Sequence, residues 1–154
     1  MKSLSPTGLV PLLQVPGFDP TIYINDSLSI CEFLAESNPN LPLWPKDRRL
    51  RALARSAVAE MHSGFTELRT FDSNFVAKYT GNIPITAHGL RDIKRILVLW
   101  DSARKMTVTR MKEVGEVDEG FLFGSFGIAD TFFWPVLWVR QSSLFRCLYI
   151  HQLN

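Results

Sequence analysis

The first apolar run of the chain, SPTGLVPLL at residues 5–13, is interrupted by Pro11. A proline ring removes a backbone hydrogen-bond donor, so central β-strands exclude it. The run therefore predicts either an edge strand or a backbone that is left unpaired beside the proline. We predict two short strands, Leu9–Leu13 and Thr21–Ile24, because turn residues fill positions 14–20 between them and favour an antiparallel pair.

A short helix is predicted to follow the second strand. Asn25-Asp26-Ser27 provides helix-capping side chains just before apolar positions with helical spacing, at Leu28, Ile30, Cys31 and Leu34. Residues 37–45, SNPNLPLWP, contain three prolines and no periodicity, which is typical of a linker. The first 36 residues thus predict a strand–strand–helix unit, and the chain after the linker is expected to be helical.

The first long helix is predicted from about residue 46 to residue 75, with Asp47 suited to its start. Three lines of side chains run along it. An apolar line contains Leu50, Leu53, Ala54, Ala57, Met61, Phe65 and Leu68, a seam of small residues contains Ala52, Ser56, Ala59 and Ser63, and a polar line contains Arg51, Arg55, His62 and Arg69. The seam would let another helix approach closely, whereas the polar line is either a solvated face or one side of a cleft.

A second helix is predicted over residues 87–106, with Ile93, Ile96, Leu97, Trp100 and Ala103 on its buried side. A third is predicted to begin near Gly127, where Asp130 has the spacing to reach back to the amide of the cap residue, a structural role. Residues 121–139 are long enough to resemble a membrane span. Asp130 would cost about 3 kcal/mol in a bilayer, so a buried helix of a soluble core is the better interpretation.

Composition excludes several classes of function. The chain has 154 residues, of which 46% are apolar, and a net charge of +2, which is too small to indicate a nucleic-acid partner. Cys31 and Cys147 form no metal-binding motif, and His88 and His151 have no partners at ligand spacing, so no metal site is expected. We expect reduced thiols and, since no secretory signal is visible, a cytoplasmic location.

Five segments together carry a resemblance to a known family. They are SPTGLVPLL, INDSLSICEFLAE, LPLWPKD, RALARSAVAEMHSGFTELR and FLFGSFGIADTFFWPV. In their order and spacing they resemble a cytosolic glutathione S-transferase of the bacterial and microbial-eukaryote type, over roughly residues 3–140. The resemblance implies an α+β protein, with part of a thioredoxin-like glutathione-binding domain at 1–36, a linker at 37–45 and an all-helical C-terminal domain at 46–154.

The resemblance also implies a site for glutathione as co-substrate. The proline that matches Pro11 is cis in the family, and the backbone of Val10 would pair with the cysteinyl part of glutathione. Asp26 and Ser27 match the acidic-Ser pair that holds its γ-glutamyl end, although a plain helix cap is the alternative. His62 and Phe65 would line the pocket of the electrophile, unless His62 is a packed or surface imidazole. Cys31 is interpreted as a small apolar group rather than a nucleophile.

The family places a strand, a helix and another strand before the segment that matches SPTGLVPLL, and its catalytic Ser, Tyr or Cys lies there. Only Met1–Leu4 precede that segment here, so the catalytic residue is unknown and we expect a chain truncated at its N-terminus. The divergent tail QSSLFRCLYIHQLN suggests truncation at the C-terminus too. Two classes of function follow. The first is a homodimeric transferase that conjugates glutathione to an electrophile once the missing segment is supplied, and the second is a non-catalytic module that binds a partner or an inactive truncated paralogue.

Overall fold

The computed structural model describes residues 5, 7–72 and 86–139. Cys147, His151, the C-terminal tail and the predicted end of the first long helix lie outside these residues. The chain divides into two compact units between Leu43 and Trp44. In order, the elements are β1 (Leu12–Val15), β2 (Ile22–Asn25), α1 (Ser27–Ser37), α2 (Arg48–Ser63), α3 (Thr66–Asp72), α4 (Ala87–Val114) and α5 (Ile128–Val139). The α+β class is therefore confirmed.

The first unit is built on an antiparallel pair of strands, as predicted. β1 and β2 pair from Leu12 opposite Asn25 to Val15 opposite Ile22. The prediction that β1 begins at Leu9 is wrong, because the ladder starts only after Pro11, which has no N–H to donate. The peptide bond between Val10 and Pro11 is cis.

Helix α1 begins where the capping residues predicted it. Asp26 has a left-handed backbone (φ 76°), and its carboxylate oxygen Oδ1 accepts hydrogen bonds from the amides of Leu28 at 2.9 Å and Ser29 at 3.2 Å. These bonds satisfy two of the amides that a helix leaves unpaired in its first turn. No residue of α1 is fully buried, so the helix is only partly covered within the described part of the chain.

The single long helix predicted over 46–75 is wrong, because the structure has two helices with a break at Gly64 and Phe65. Asp47 caps α2 as expected, its carboxylate accepting from the amide of Leu50 at 3.0 Å. At the other end Gly64 adopts an extended backbone and donates to the carbonyl of Glu60, and Phe65 has a positive φ of 57°. The helical path therefore stops after Ser63 and restarts at Thr66.

Most of the predicted apolar line is buried despite this break. Its buried members are Leu50, Ala54, Ala57, Met61, Phe65 and Leu68, while Leu53 is half-buried. Val58 is completely buried and was not on that line. The break interrupts the helix while the apolar line on both sides of it stays buried, which is why the periodicity did not reveal it.

Helix α4 is longer than predicted and spans 28 residues. It ends at Gly115, which has a left-handed backbone (φ 68°). The amide of Gly115 donates hydrogen bonds to carbonyls of the preceding turn, as is typical of a glycine C-cap. Ile93, Ile96 and Ala103 are buried as expected, but Leu97 and Trp100 are only half-buried. Gly89, Leu99 and Thr107 take the remaining buried positions.

Helix α5 starts with the contact that its sequence predicts. One carboxylate oxygen of Asp130 accepts from the amide of Gly127 at 2.9 Å, and the other accepts from the amide of Leu122 at 3.0 Å. Phe133 and Val136 then fill the core of the second unit with almost no exposed surface. Among the described residues no helix is both long and apolar enough to cross a membrane.

Ion pairs connect α2 and α4 in an antiparallel arrangement. Arg110 near the end of α4 contacts Asp47 at the start of α2, at 2.8 Å. Arg95 near the start of α4 forms a bidentate ion pair with Glu60 near the end of α2. The guanidinium of Arg110 lowers the pKa of the Asp47 carboxyl through a hydrogen bond, and that of Arg95 does the same for Glu60.

Candidate functional site

The predicted glutathione-binding residues lie at one end of the two-stranded sheet. Because Leu12 pairs with Asn25, the residues that precede β1 and those that follow β2 leave the sheet at the same end. The antiparallel register therefore places Val10–Pro11 and Asp26–Ser27 next to the same end of the sheet. Sequence spacing alone separates these two pairs by fourteen positions.

The backbone of Val10 is open to a ligand. The residue is 71% exposed. Neither its amide nor its carbonyl forms a hydrogen bond with another described residue. A backbone in this state can accept an extended peptide as an additional strand.

A small network before Val10 fixes the approach to this segment. Ser5 is 5% exposed, and its hydroxyl donates to the carbonyl of Leu9 at 3.1 Å. The Ser5 and Thr7 hydroxyls lie 3.1 Å apart, and the Thr7 oxygen accepts from the amide of Leu9 at 3.3 Å. The sequence prediction missed this role, although hydroxyl side chains two residues apart before a glycine are a signal for such a turn.

Asp26 and Ser27 occupy the N-terminus of α1. The carboxylate of Asp26 caps the helix, which fits the alternative of a helix-capping residue. Ser27 is the first helical residue and is half-buried, and its hydroxyl makes no hydrogen bond within the described part of the chain. A free hydroxyl at a helix N-terminus is suited to an anionic group, because the helix dipole and exposed amides favour negative charge there.

Cys31 lies one turn into α1 but is not poised as a nucleophile. It is a free, half-buried cysteine. Burial raises the pKa of its thiol, and the carboxylates of Glu32 and Asp26 raise it further. Since the thiolate is the reactive form, this environment keeps the sulfur protonated at neutral pH.

The two residues predicted for the electrophile pocket have different surroundings. Phe65 is 7% exposed and belongs to the core of the second unit. His62 is half-buried in the last turn of α2, with its ring edge-on to Phe132 at a centroid distance of 6.0 Å. This contact fits the alternative of a packed imidazole, and Phe132 was not predicted as a partner of His62.

The described residues contain no group of three or more His, Cys, Asp or Glu side chains that could hold a metal ion. They also contain no hydroxyl that the resemblance identifies as the activator of a glutathione thiol. The groups around Val10 and Ser27 are suited to binding a ligand. These groups are a peptide backbone, a hydroxyl and a helix N-terminus.

Comparison with known proteins gives partial matches. No protein-family model matches the chain. It is 38% identical over 68 residues to a protein named "Probable maleylacetoacetate isomerase" from Caenorhabditis elegans, covering 44% of this chain and 30% of that protein. It is 32% identical over 82 residues to "Maleylacetoacetate isomerase" from Dictyostelium discoideum, covering 53% of this chain and 36% of that protein.

The matched region thus spans about a third of the length of these curated relatives. Maleylacetoacetate isomerases are zeta-class glutathione transferases. The matches support the glutathione transferase family for this chain, but they do not single out the bacterial and microbial-eukaryote type.

Proposed function

We propose that this chain is a glutathione-binding protein of the transferase type, with Val10, Pro11, Asp26 and Ser27 as the glutathione site. The observation that carries the proposal is that the exposed backbone of Val10, without a hydrogen bond to another described residue, and the start of α1 adjoin the same end of the sheet. Glutathione is a tripeptide with an extended backbone and a charged head. A strand-like edge beside a helix N-terminus provides partners for both parts.

Each part of the site has a distinct partner in the ligand. The N–H and C=O of Val10 would pair with the cysteinyl residue, and the cis bond leads the chain from there into β1. The Ser27 hydroxyl and the first-turn amides of α1 would bind the γ-glutamyl carboxylate. The carboxylate of Asp26 would attract the γ-glutamyl ammonium electrostatically while it continues to cap the helix.

The proposed reaction is attack of the glutathione thiolate on an electrophilic carbon. Sulfur forms the new bond, the leaving group departs with its electron pair, and the thiol proton passes to solvent. A free thiol has a pKa of about 8.5, so a hydrogen-bond donor is needed to favour the thiolate at neutral pH. We assign no residue to this role, and Cys31 is unsuited to replace the glutathione sulfur. His62 remains a proposed contact for the electrophile.

The names of the relatives favour a second reaction, the isomerisation of maleylacetoacetate. There the thiolate would add reversibly to a conjugated double bond, and the bond would re-form after rotation, which regenerates glutathione. The proposed binding site serves both reactions equally. Assays with chlorodinitrobenzene and with maleylacetoacetate, each compared with the uncatalysed rate, separate them. Glutathione binding without either activity would favour the non-catalytic module.

Calorimetric titration with glutathione tests the site itself. Ser27→Ala removes a hydroxyl that does not take part in the helix cap, so we expect affinity to fall about tenfold or more, since a hydrogen bond to a charged group contributes about 1.5–3 kcal/mol. Ser29→Ala is the matched control, because Ser29 is an exposed serine of the same helix whose amide remains capped. Absence of binding at millimolar glutathione, or equal affinity in both variants, would refute the proposal.

We also propose a homodimer formed through the seam of small residues on α2. Ala52, Ser56, Ala59 and Ser63 are all exposed, and a groove of about 200 Å³ beside them is lined by apolar side chains that include Leu53, Val98 and Phe123. A second copy or another protein partner would bury this surface. The cytoplasmic location and the absence of a nucleic-acid partner remain predictions of the sequence.

Light scattering at micromolar concentration tests the dimer. Ser56→Arg should shift the protein to a monomer, because the long charged side chain blocks close approach of a second helix. Thr109→Arg, on an exposed position of α4 outside the groove lining, should leave the dimer intact. A monodisperse monomer for the unmodified chain would contradict this proposal without affecting the glutathione site.

A further inference from the structure

We draw no further inference here: the strongest candidate, the exposed aromatic pair Phe121 and Phe126 in the loop between α4 and α5, is an apolar patch for which nothing in the structure shows what covers it.

Discussion

Replacing Asp130 with alanine should destabilise the second unit, because its carboxylate holds the start of α5. Its two oxygens accept from two backbone amides, those of Leu122 and Gly127, which lie on the loop that enters α5. The loss would leave both amides without their protein partner. Since α5 contributes the buried Phe133 to the core, loosening its first turn also loosens the packing around it.

The size of the effect follows from these two bonds. Hydrogen bonds to a charged group contribute about 1.5–3 kcal/mol each, whereas the loss of a helix cap costs about 0.5–2 kcal/mol. Asp130 and both amide-bearing residues are half-buried, so water can partly replace the lost partner. We therefore expect Asp130→Ala to lower the free energy of unfolding by about 2–3 kcal/mol. For a chain of this size that corresponds to a fall in Tm of roughly 4–12 °C.

Thermal and urea unfolding followed by far-UV circular dichroism measure this loss. Asp101→Ala is the matched control, because Asp101 is an exposed carboxylate on α4 whose one ion-pair partner in the described part of the chain is Lys105, in a solvent-exposed i,i+4 contact. Such pairs contribute about 0.3–0.5 kcal/mol. Asp130→Asn keeps one acceptor oxygen and should show at least half of the loss. If the free energy of unfolding of Asp130→Ala lies within about 0.5 kcal/mol of that of the control, roughly the scatter of surface substitutions, the capping argument is wrong.

Two further predictions concern the second unit. Gly64→Ala would place a methyl group 2.8 Å from the backbone carbonyl oxygen of Glu60. We therefore expect the free energy of unfolding, measured in urea, to fall by about 1–3 kcal/mol. An equal fall for Ser63→Ala, at the neighbouring exposed position, would contradict this expectation. Arg104 lowers the pKa of Asp118 in the folded protein through a hydrogen bond. The pair therefore stabilises the fold fully at pH values above the carboxyl pKa of the unfolded chain, about 3.9. This stabilisation is lost as the pH falls through the lower pKa of the folded state. The Tm difference between wild type and Asp118→Asn should therefore shrink from pH 7 to pH 3, and a constant difference would argue against the pair.

The helix starts were predictable because their determinants are local. Asp26, Asp47 and Asp130 each cap a helix by bonding to amides within three residues along the chain. A carboxylate at such a spacing before an apolar helical pattern is a direct physical signal, since it can reach unpaired amides without any tertiary contact. The same argument explains why the antiparallel pair of strands was found from its turn residues.

The break between α2 and α3 was not predictable from the same signals. A single glycine inside a helical pattern is tolerated, so Gly64 did not distinguish a continuous helix from an interrupted one. What holds α3 is distant in sequence: the carboxylate of Asp92 on α4 accepts from the amide of Leu68 at 3.2 Å. The guanidinium of Arg69 also donates to the carbonyl of Met61 at the end of α2. Periodicity contains no information about either contact.

For the candidate site, the residues alone indicated only a proline that breaks a strand and a capping pair. The family resemblance supplied their connection to glutathione, and the strand register showed that both pairs leave the sheet at the same end. The network of Ser5 and Thr7 was missed because it depends on a turn that orders residues before the strand. Local chemistry thus predicted the parts of the site, whereas their proximity required the fold.

The dual position of Asp26 determines which substitution can distinguish recognition from folding. Its carboxylate already holds two amides of α1, so weaker glutathione binding after its removal would have two causes, a lost ligand contact and a frayed helix start. Ser27 is adjacent, yet its hydroxyl makes no bond that supports the described fold. A Ser27 variant that unfolds like wild type and binds glutathione less tightly can therefore be explained only by contact with the ligand.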